Sequence, residues 1–187
     1  MHTARVFALL TTLALSSFLA ACGSTTVTLR EEPHRPGFLG SAPFDDDGVA
    51  TRAKTVVDAG RLASYLLGVY SARRLDRVPT GNSGGVHNLE ASTGARTLEQ
   101  IVADCPRALL VTDLMGFGVN GVTGDYSRGA SGFLIENGAI AHAVEEITIA
   151  GNLRDMYRGI VAVGDDVDRR SQMLCGSILI EDRKRCV

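Results

Sequence analysis

At 187 residues, with 45% hydrophobic and 21% charged residues and a net charge of −2, the chain can bury one ordinary core and is neither disordered nor fibrous. No concentrated positive stripe of the kind a nucleic-acid surface needs is present. Arg169, Arg170 and the Arg183–Arg185 run are offset by Asp165, Asp166, Asp168, Glu181 and Asp182, the pattern of a solvated face.

The chain opens with Arg5 and an apolar stretch from Val6 to Ala21, then Leu19-Ala20-Ala21-Cys22-Gly23. A basic start, an apolar middle and small residues at a cleavage point are the features of a secretory signal, and the ending resembles a lipobox with Cys22 as the lipidated residue. At roughly 16 residues the stretch is short for a membrane span, which needs about 20. Residues 1–24 therefore read either as a signal-like leader of a lipid-anchored protein or as a core segment of a longer chain. Without Cys22, the cysteines Cys105, Cys175 and Cys186 form an odd set, and no CxxC pair suggests a cysteine-built zinc site.

Residues 25–48 are turn-rich, with Pro33, Pro36, Gly37, Gly40, Pro43 and the run Asp45-Asp46-Asp47, and read as an extended connector into a domain over 49–187. Lys54-Thr55-Val56-Val57 predicts a strand, and Asp58-Ala59-Gly60 a hairpin turn into a second strand or a helix start. Leu66, Leu67, Val69, Tyr70 and Leu75 suit a helix ending near Arg73-Arg74. A loop over 79–85 and a short strand over 86–90 follow. Thr97 is placed to cap a helix through Ala103, and Leu109–Thr112 reads as a buried strand. Asn137-Gly138, between Phe133–Glu136 and Ala139–His142, is a strong two-residue hairpin signal. Glu146–Ala150 suggests another strand, Asn152 caps a helix through Ile160, and Ser177–Ile180 closes the chain as a strand. The expected fold class is α+β, with a largely antiparallel sheet or partial barrel and two or three short helices.

The chemistry-bearing motifs are sparse. His2, His34, His87 and His142 are the only histidines, none within six residues of another, so no metal-binding pair sits one helical turn apart. No Gly-x-Ser-x-Gly elbow occurs, and Gly81-Asn82-Ser83-Gly84-Gly85 lacks the Gly-Lys-Ser/Thr ending of a phosphate loop. His87-Asn88 is a polar pair at a strand start. In Gly124–Ala130, Arg128 offers a planar fork for a carboxylate or peptide carbonyl, or is held by Asp125 in an ion pair that orders a loop. His87, Asn88, Asp125 and Arg128 are the candidate peptide- or partner-binding residues. No catalytic residue is assigned.

Gly124-Asp125-Tyr126-Ser127-Arg128-Gly129-Ala130 with Ile135-Glu136-Asn137-Gly138 resembles the signature of the PmbA/TldE family. So do Glu146–Leu153, Val163-Gly164-Asp165-Asp166, Tyr70-Ser71-Ala72-Arg73 and Cys175-Gly176-Ser177, across Val27 to Ile180. The resemblance implies a subunit of the TldD/TldE zinc metalloprotease complex. Its TldD-type partner carries zinc on a His-Glu-x-x-x-His helix plus a distant cysteine and degrades extended or unfolded peptides. It implies a cytoplasmic, inactive subunit with no cofactor of its own. Cys175 matches the position of the partner's zinc cysteine, without companion histidines. The alternative is a stand-alone peptide-binding module or surface lipoprotein.

Overall fold

The computed structural model describes residues 5–8, as backbone, and 27–181. Cys22 and Cys186 lie outside the described residues. Eleven strands and three short helices follow in chain order: β1 (Arg5–Ala8), β2 (Leu29–Glu31), β3 (Lys54–Asp58), β4 (Arg61–Leu62), α1 (Val69–Arg74), β5 (Leu89–Ala91), α2 (Leu98–Ala103), β6 (Arg107–Met115), β7 (Asp125–Glu136), β8 (Ala139–Asn152), α3 (Leu153–Arg158), β9 (Ile160–Val163), β10 (Met173–Leu174) and β11 (Ile178–Glu181). They form a six-stranded sheet in the order β8-β7-β6-β1-β11-β9 and a five-stranded sheet in the order β10-β5-β2-β3-β4. Most pairings are antiparallel, with β1–β6 and β10–β5 the parallel exceptions. The fold is α+β, and neither sheet closes into a barrel.

The alternation of the strands sorts the core. One cluster packs residues from both sheets, including Leu29, Val57, Leu89, Tyr126, Ile160 and Ile180, with Leu153 and Tyr157 of α3 among them. On β11 the flanking Ile180 joins that cluster, while Leu179 points the other way, under α2 with Ile101, Cys105, Ala108 and Ile135. Ile101 and Ile135 are fully buried, each contributing about 1.5–3 kcal/mol. The result is two sheets with α2 covering the outer face of the larger.

Helix α2 starts where its sequence asks: the Thr97 side chain accepts from the Gln100 N–H, and the Gln100 side chain accepts from the Thr97 N–H, a complete capping box. The Asn152 side chain accepts from the Arg154 N–H at the start of α3. That helix stops at Gly159 rather than continuing through Ile160, because Ile160 pairs with Ile180 in β9. Residues 58–61 make a hairpin turn with both Ala59 and Gly60 at positive φ, and the chain beyond it enters β4 rather than a helix.

Three further expectations differ from the structure. The stretch read as a connector supplies β2, the central strand of the five-stranded sheet, since Val27, Leu29 and Glu31 alternate toward the core. The expected strand over Leu109–Thr112 is the middle of a nine-residue strand that is buried only at Ala108 and Val111, because one face of this part of the sheet is uncovered. Glu146–Ala150 is not a separate strand. It continues β8 past a bulge at Glu146, whose φ is +55°, where the register against β7 slips between Ala130↔Ile147 and Gly132↔Val144.

Asn137 (φ +50°) and Gly138 (φ +78°) form the β7–β8 turn, and a Cβ on Gly138 would sit 2.5 Å from the Ala103 carbonyl oxygen. The turn is thus strained for any side chain and wedged against α2. Gly138→Val is expected to cost about 1–3 kcal/mol, read as a lower urea midpoint. An unchanged midpoint would contradict the packing of this turn, and Asn137→Gly serves as the near-neutral control.

Candidate functional site

The most exposed apolar feature is the loop between β6 and β7. Phe117 is 101% and Val122 97% exposed. The loop folds back on its own strand: the Ser127 N–H donates to the Gly118 carbonyl at 2.6 Å, and a Cβ on Gly118 would overlap the Ser127 carbonyl oxygen. Held that close, the Gly116-Phe117-Gly118 segment turns the ring outward. Val122 is held out by Asn120, whose Oδ1 accepts from the Val122 and Thr123 N–H groups at 2.9 and 3.1 Å. A shallow groove of about 530 Å³ runs beside the tip, lined by Phe117–Gly121 and Asp125–Ser127. The tip continues the arm whose outer strand, β8, is a 14-residue edge exposed along most of its length.

Asp125 and Arg128 belong to this arm but do not meet. Both lie in β7 rather than at a loop tip, and their odd separation puts them on opposite faces of the sheet. Asp125 is exposed and organises the tip, accepting from the Thr123 hydroxyl at 2.7 Å. Arg128 turns inward beside Tyr126 and donates through Nη2 to the Leu114 carbonyl at 2.9 Å. Burial raises the Tyr126 phenol above its ordinary range, against the opposing pull of Arg128. The ion pair considered from sequence is therefore replaced by two separate structural roles.

His87 and Asn88 lie elsewhere, at the entry to β5, around a buried carboxylate that belongs to no sequence motif. Glu31 is 0% exposed. Its Oε1 accepts from Asn82 Nδ2 at 2.8 Å and from the His87 N–H at 2.7 Å, and its Oε2 pairs with Lys54 Nζ at 2.5 Å. Glu31 and Lys54 are register partners on β2 and β3. The His87 ring stands beside the same carboxylate, Nδ1 to Oε1 3.5 Å. Asn88, also 0% exposed and at φ +47°, is used up internally: Oδ1 accepts from the Gly40 N–H, and Nδ2 donates to the Glu32 carbonyl and the Ser41 hydroxyl. The period-two run Val27, Leu29, Glu31 carried the signal for the buried carboxylate. A carboxylate in a core-facing position demands partners.

Asp45 acts in the same way next door. Its Oδ1 accepts from the Asp47 and Val49 N–H groups and its Oδ2 from the Ser83 N–H, all within 3.0 Å. Burial pushes this carboxyl up, but the three backbone N–H donors pull it down and prevail, leaving its pKa below the ordinary value.

The candidate metal ligands are dispersed. Cys175 donates its thiol to the Gly176 carbonyl, and burial, with nearby Asp166, raises it to about 11. The two Asp166 oxygens are taken by the Ser177 N–H and hydroxyl at 2.9 and 2.6 Å. His34 bonds Thr51, His87 faces Glu31, and His142 is exposed on β8. Among the described residues no three His, Cys, Asp or Glu side chains gather as a metal site, and no helix is long and apolar enough to cross a membrane.

Removing Lys54 as Lys54→Met strands the Glu31 charge in the core and is expected to cost about 3–5 kcal/mol, most of it recovered in the Glu31→Gln/Lys54→Met double variant. Urea unfolding of the three proteins measures it, and equal losses in single and double variants would contradict the pairing. Asp45 is stabilising wherever it is ionised in both states, above the ordinary carboxylate value of ~3.9, and that stability is lost as pH falls through its lower folded value. Asp45→Asn should therefore be less stable than the parent near neutral pH, with the gap closing only in strong acid. A gap independent of pH would contradict the charge-based account.

The family pattern described as the PmbA/TldA metallopeptidase C-terminal domain matches residues 12–184. The chain is 48% identical over 158 residues to Metalloprotease PmbA of Escherichia coli O157:H7, covering 84% of this chain and 35% of that protein. It is 47% identical over 158 residues to the PmbA homolog of Haemophilus influenzae, with the same coverage. It thus spans about a third of the length of these relatives. Among solved structures, a Thermotoga maritima protein described as a modulator of a DNA gyrase superposes with a TM-score of 0.77 at 38% identity, over 86% of this chain and 39% of that one. TldE from Thermococcus kodakarensis shares the fold, with a TM-score of 0.80 at 24% identity over 96% of this chain and 49% of that one. The chain belongs to the PmbA/TldA metallopeptidase family and corresponds to its C-terminal domain.

Proposed function

We propose that this domain works by association, as the C-terminal portion of a PmbA/TldE-type subunit that packs against a TldD-type partner bearing the zinc. The observation that carries this reading is the β6–β8 arm, with Phe117 and Val122 held in water by fixed backbone geometry beside a shallow groove and a long open edge. Apolar side chains fixed in full exposure at one tip are the signature of a surface that is covered in an assembly. Asp125 shapes that tip and Arg128 braces it from beneath, while His87 and Asn88 stiffen the body that carries it. Cleavage of extended or unfolded peptides would then be the partner's chemistry, in the cytoplasm. The family match from residue 12 supports taking the apolar stretch as part of the domain rather than as a leader ending in a lipidated Cys22.

A second reading is favoured by β8 alone. Its Ala139–Val144 half is an unpaired, mostly apolar edge that could take an extended peptide by strand addition, making the domain a stand-alone peptide binder.

Co-expression with a TldD-type protein from the same cell, followed by size-exclusion chromatography, separates the two. Co-elution is expected, lost in Phe117→Ser/Val122→Ser with the thermal midpoint unchanged. Separate elution of two folded chains would sink the subunit reading and favour the peptide binder. The purified chain alone should carry no stoichiometric zinc by elemental analysis. One zinc per chain that disappears on Cys175→Ser would overturn the assignment of the metal to the partner.

A further inference from the structure

A different surface, around α1, has no role in the arm. Tyr70, Arg73 and Arg74 fall at i, i+3 and i+4 and share the outer face of that helix, opposite the fully buried Ala72. The helix ends in a Schellman turn: Asp76, at φ +50°, donates to the Arg73 carbonyl, and Arg77 donates to the Ala72 carbonyl at 2.9 Å. The turn sends Arg77 back over the Tyr65 ring, 5.0 Å from its centroid. Arg52 reaches the same place from outside the helix, donating to the Pro79 carbonyl at 3.3 Å, next to Val78. Tyr70 is 75% and Val78 73% exposed.

The patch is dense in positive charge, and although Arg61, Arg107, Arg154 and Arg169 are also in no ion pair among the described residues, Arg73, Arg74 and Arg77 gather within five residues of chain. Arg30, Arg35, Arg96 and Arg170 each bind a carboxylate. Among the described residues Arg52, Arg73, Arg74 and Arg77 are in no ion pair, and Asp76 is the sole acidic residue between 69 and 80. Arginines near a helix C-terminus complement its dipole. A six-residue helix supplies little of that, and the dipole explains neither Arg52 nor the exposed Tyr70 and Val78. Unpaired arginines interleaved with an exposed tyrosine and an aliphatic side chain are the chemistry of a binding hot spot.

We infer that the α1 patch of Tyr70, Arg73, Arg74, Arg77, Arg52 and Val78 docks an acidic segment of a protein, one in which carboxylates alternate with aliphatic or aromatic residues. Guanidinium forks take the carboxylates, and Tyr70 and Val78 take the apolar residues. A nucleic acid is the poorer fit. The Asp47 carboxylate accepts from the Val69 N–H at the start of α1, and its charge at that end of the helix disfavours a polyanion running the helix's length. The inference is independent of the arm and of which protein covers it.

The test uses the full chain and a labelled synthetic peptide of alternating Glu and Leu, read by fluorescence anisotropy. Saturable binding that weakens with added salt is expected, and a Gln-for-Glu version of the peptide should not bind. Arg73→Gln/Arg74→Gln/Arg77→Gln should weaken binding at least about tenfold, a few-fold for each exposed charge contact, with Tyr70→Ala also weaker and Phe117→Ser unchanged. Should the triple variant melt early, single Arg74→Gln, on an exposed side chain, gives the same direction at smaller size. Equal binding of the Glu and Gln peptides, no binding at all, or tighter binding of a single-stranded oligonucleotide or of phosphatidylserine vesicles would each overturn the inference.

Discussion

The Glu31 carboxylate is the constraint on which the five-stranded sheet is organised. Taking a carboxylate out of water costs several kcal/mol unless every oxygen is satisfied, so the segments that satisfy it have to arrive together. Lys54 comes from the neighbouring strand, Asn82 from the glycine-rich loop, and the His87 N–H from the entry to β5. Once these are in place, Asn88 is fixed one residue on, and its side chain ties down the backbone at Gly40 and Glu32. Asp45 continues the chain of dependence by joining its own turn to Ser83. A segment rich in proline and glycine, which looks unstructured in isolation, is thus held by three polar residues.

That network also explains what could be read from sequence. The turn at Asn137-Gly138, the Thr97 capping box and the Asn152 cap were legible because each is settled within a few residues by backbone geometry or a local hydrogen bond. The α+β class followed from their spacing. The role of residues 25–48 was not legible, since β2 becomes a strand only through pairing with β3 and β5, tens of residues away. Asp125 and Arg128 were recognised as unusual, but Gly124 and Gly129 around them suggested a loop. In the structure the flanking strands extend through them, and strand parity then separates the two side chains. The exposure of Phe117 has no local sequence signal, since an aromatic residue ordinarily belongs to the core, and only the pairing of Gly118 with Ser127 turns it outward.

The polar residues of this domain are consumed in building it. Asn88, Asp45 and Asp166 each have their side-chain oxygens or amides committed to internal partners, and the Cys175 thiol donates to the Gly176 carbonyl. A group already bonded within a rigid body would have to give up that bond before it could serve a reacting substrate, and the lost bond would weaken the fold. Inside, His87 Nδ1 and Arg128 Nε are buried without a hydrogen-bond partner among the described residues; the larger open features are at the surface: the apolar tip, the open backbone of β8 and the arginines of α1.

Those surfaces are also where the fold shows restraint against promiscuous contact. An edge of 14 residues is a template for unwanted strand pairing, yet β8 is broken near its middle by the bulge at Glu146, with Glu145 beside it in water. A bulge twists the edge, and adjacent charges repel an approaching strand, so neither half presents a long flat ladder. The tip carrying Phe117 and Val122 has no such guard. The contrast argues that selective docking is concentrated at the tip, where rigid side chains lose little entropy on binding, and that the edge tolerates a partner only in the register its bulge allows.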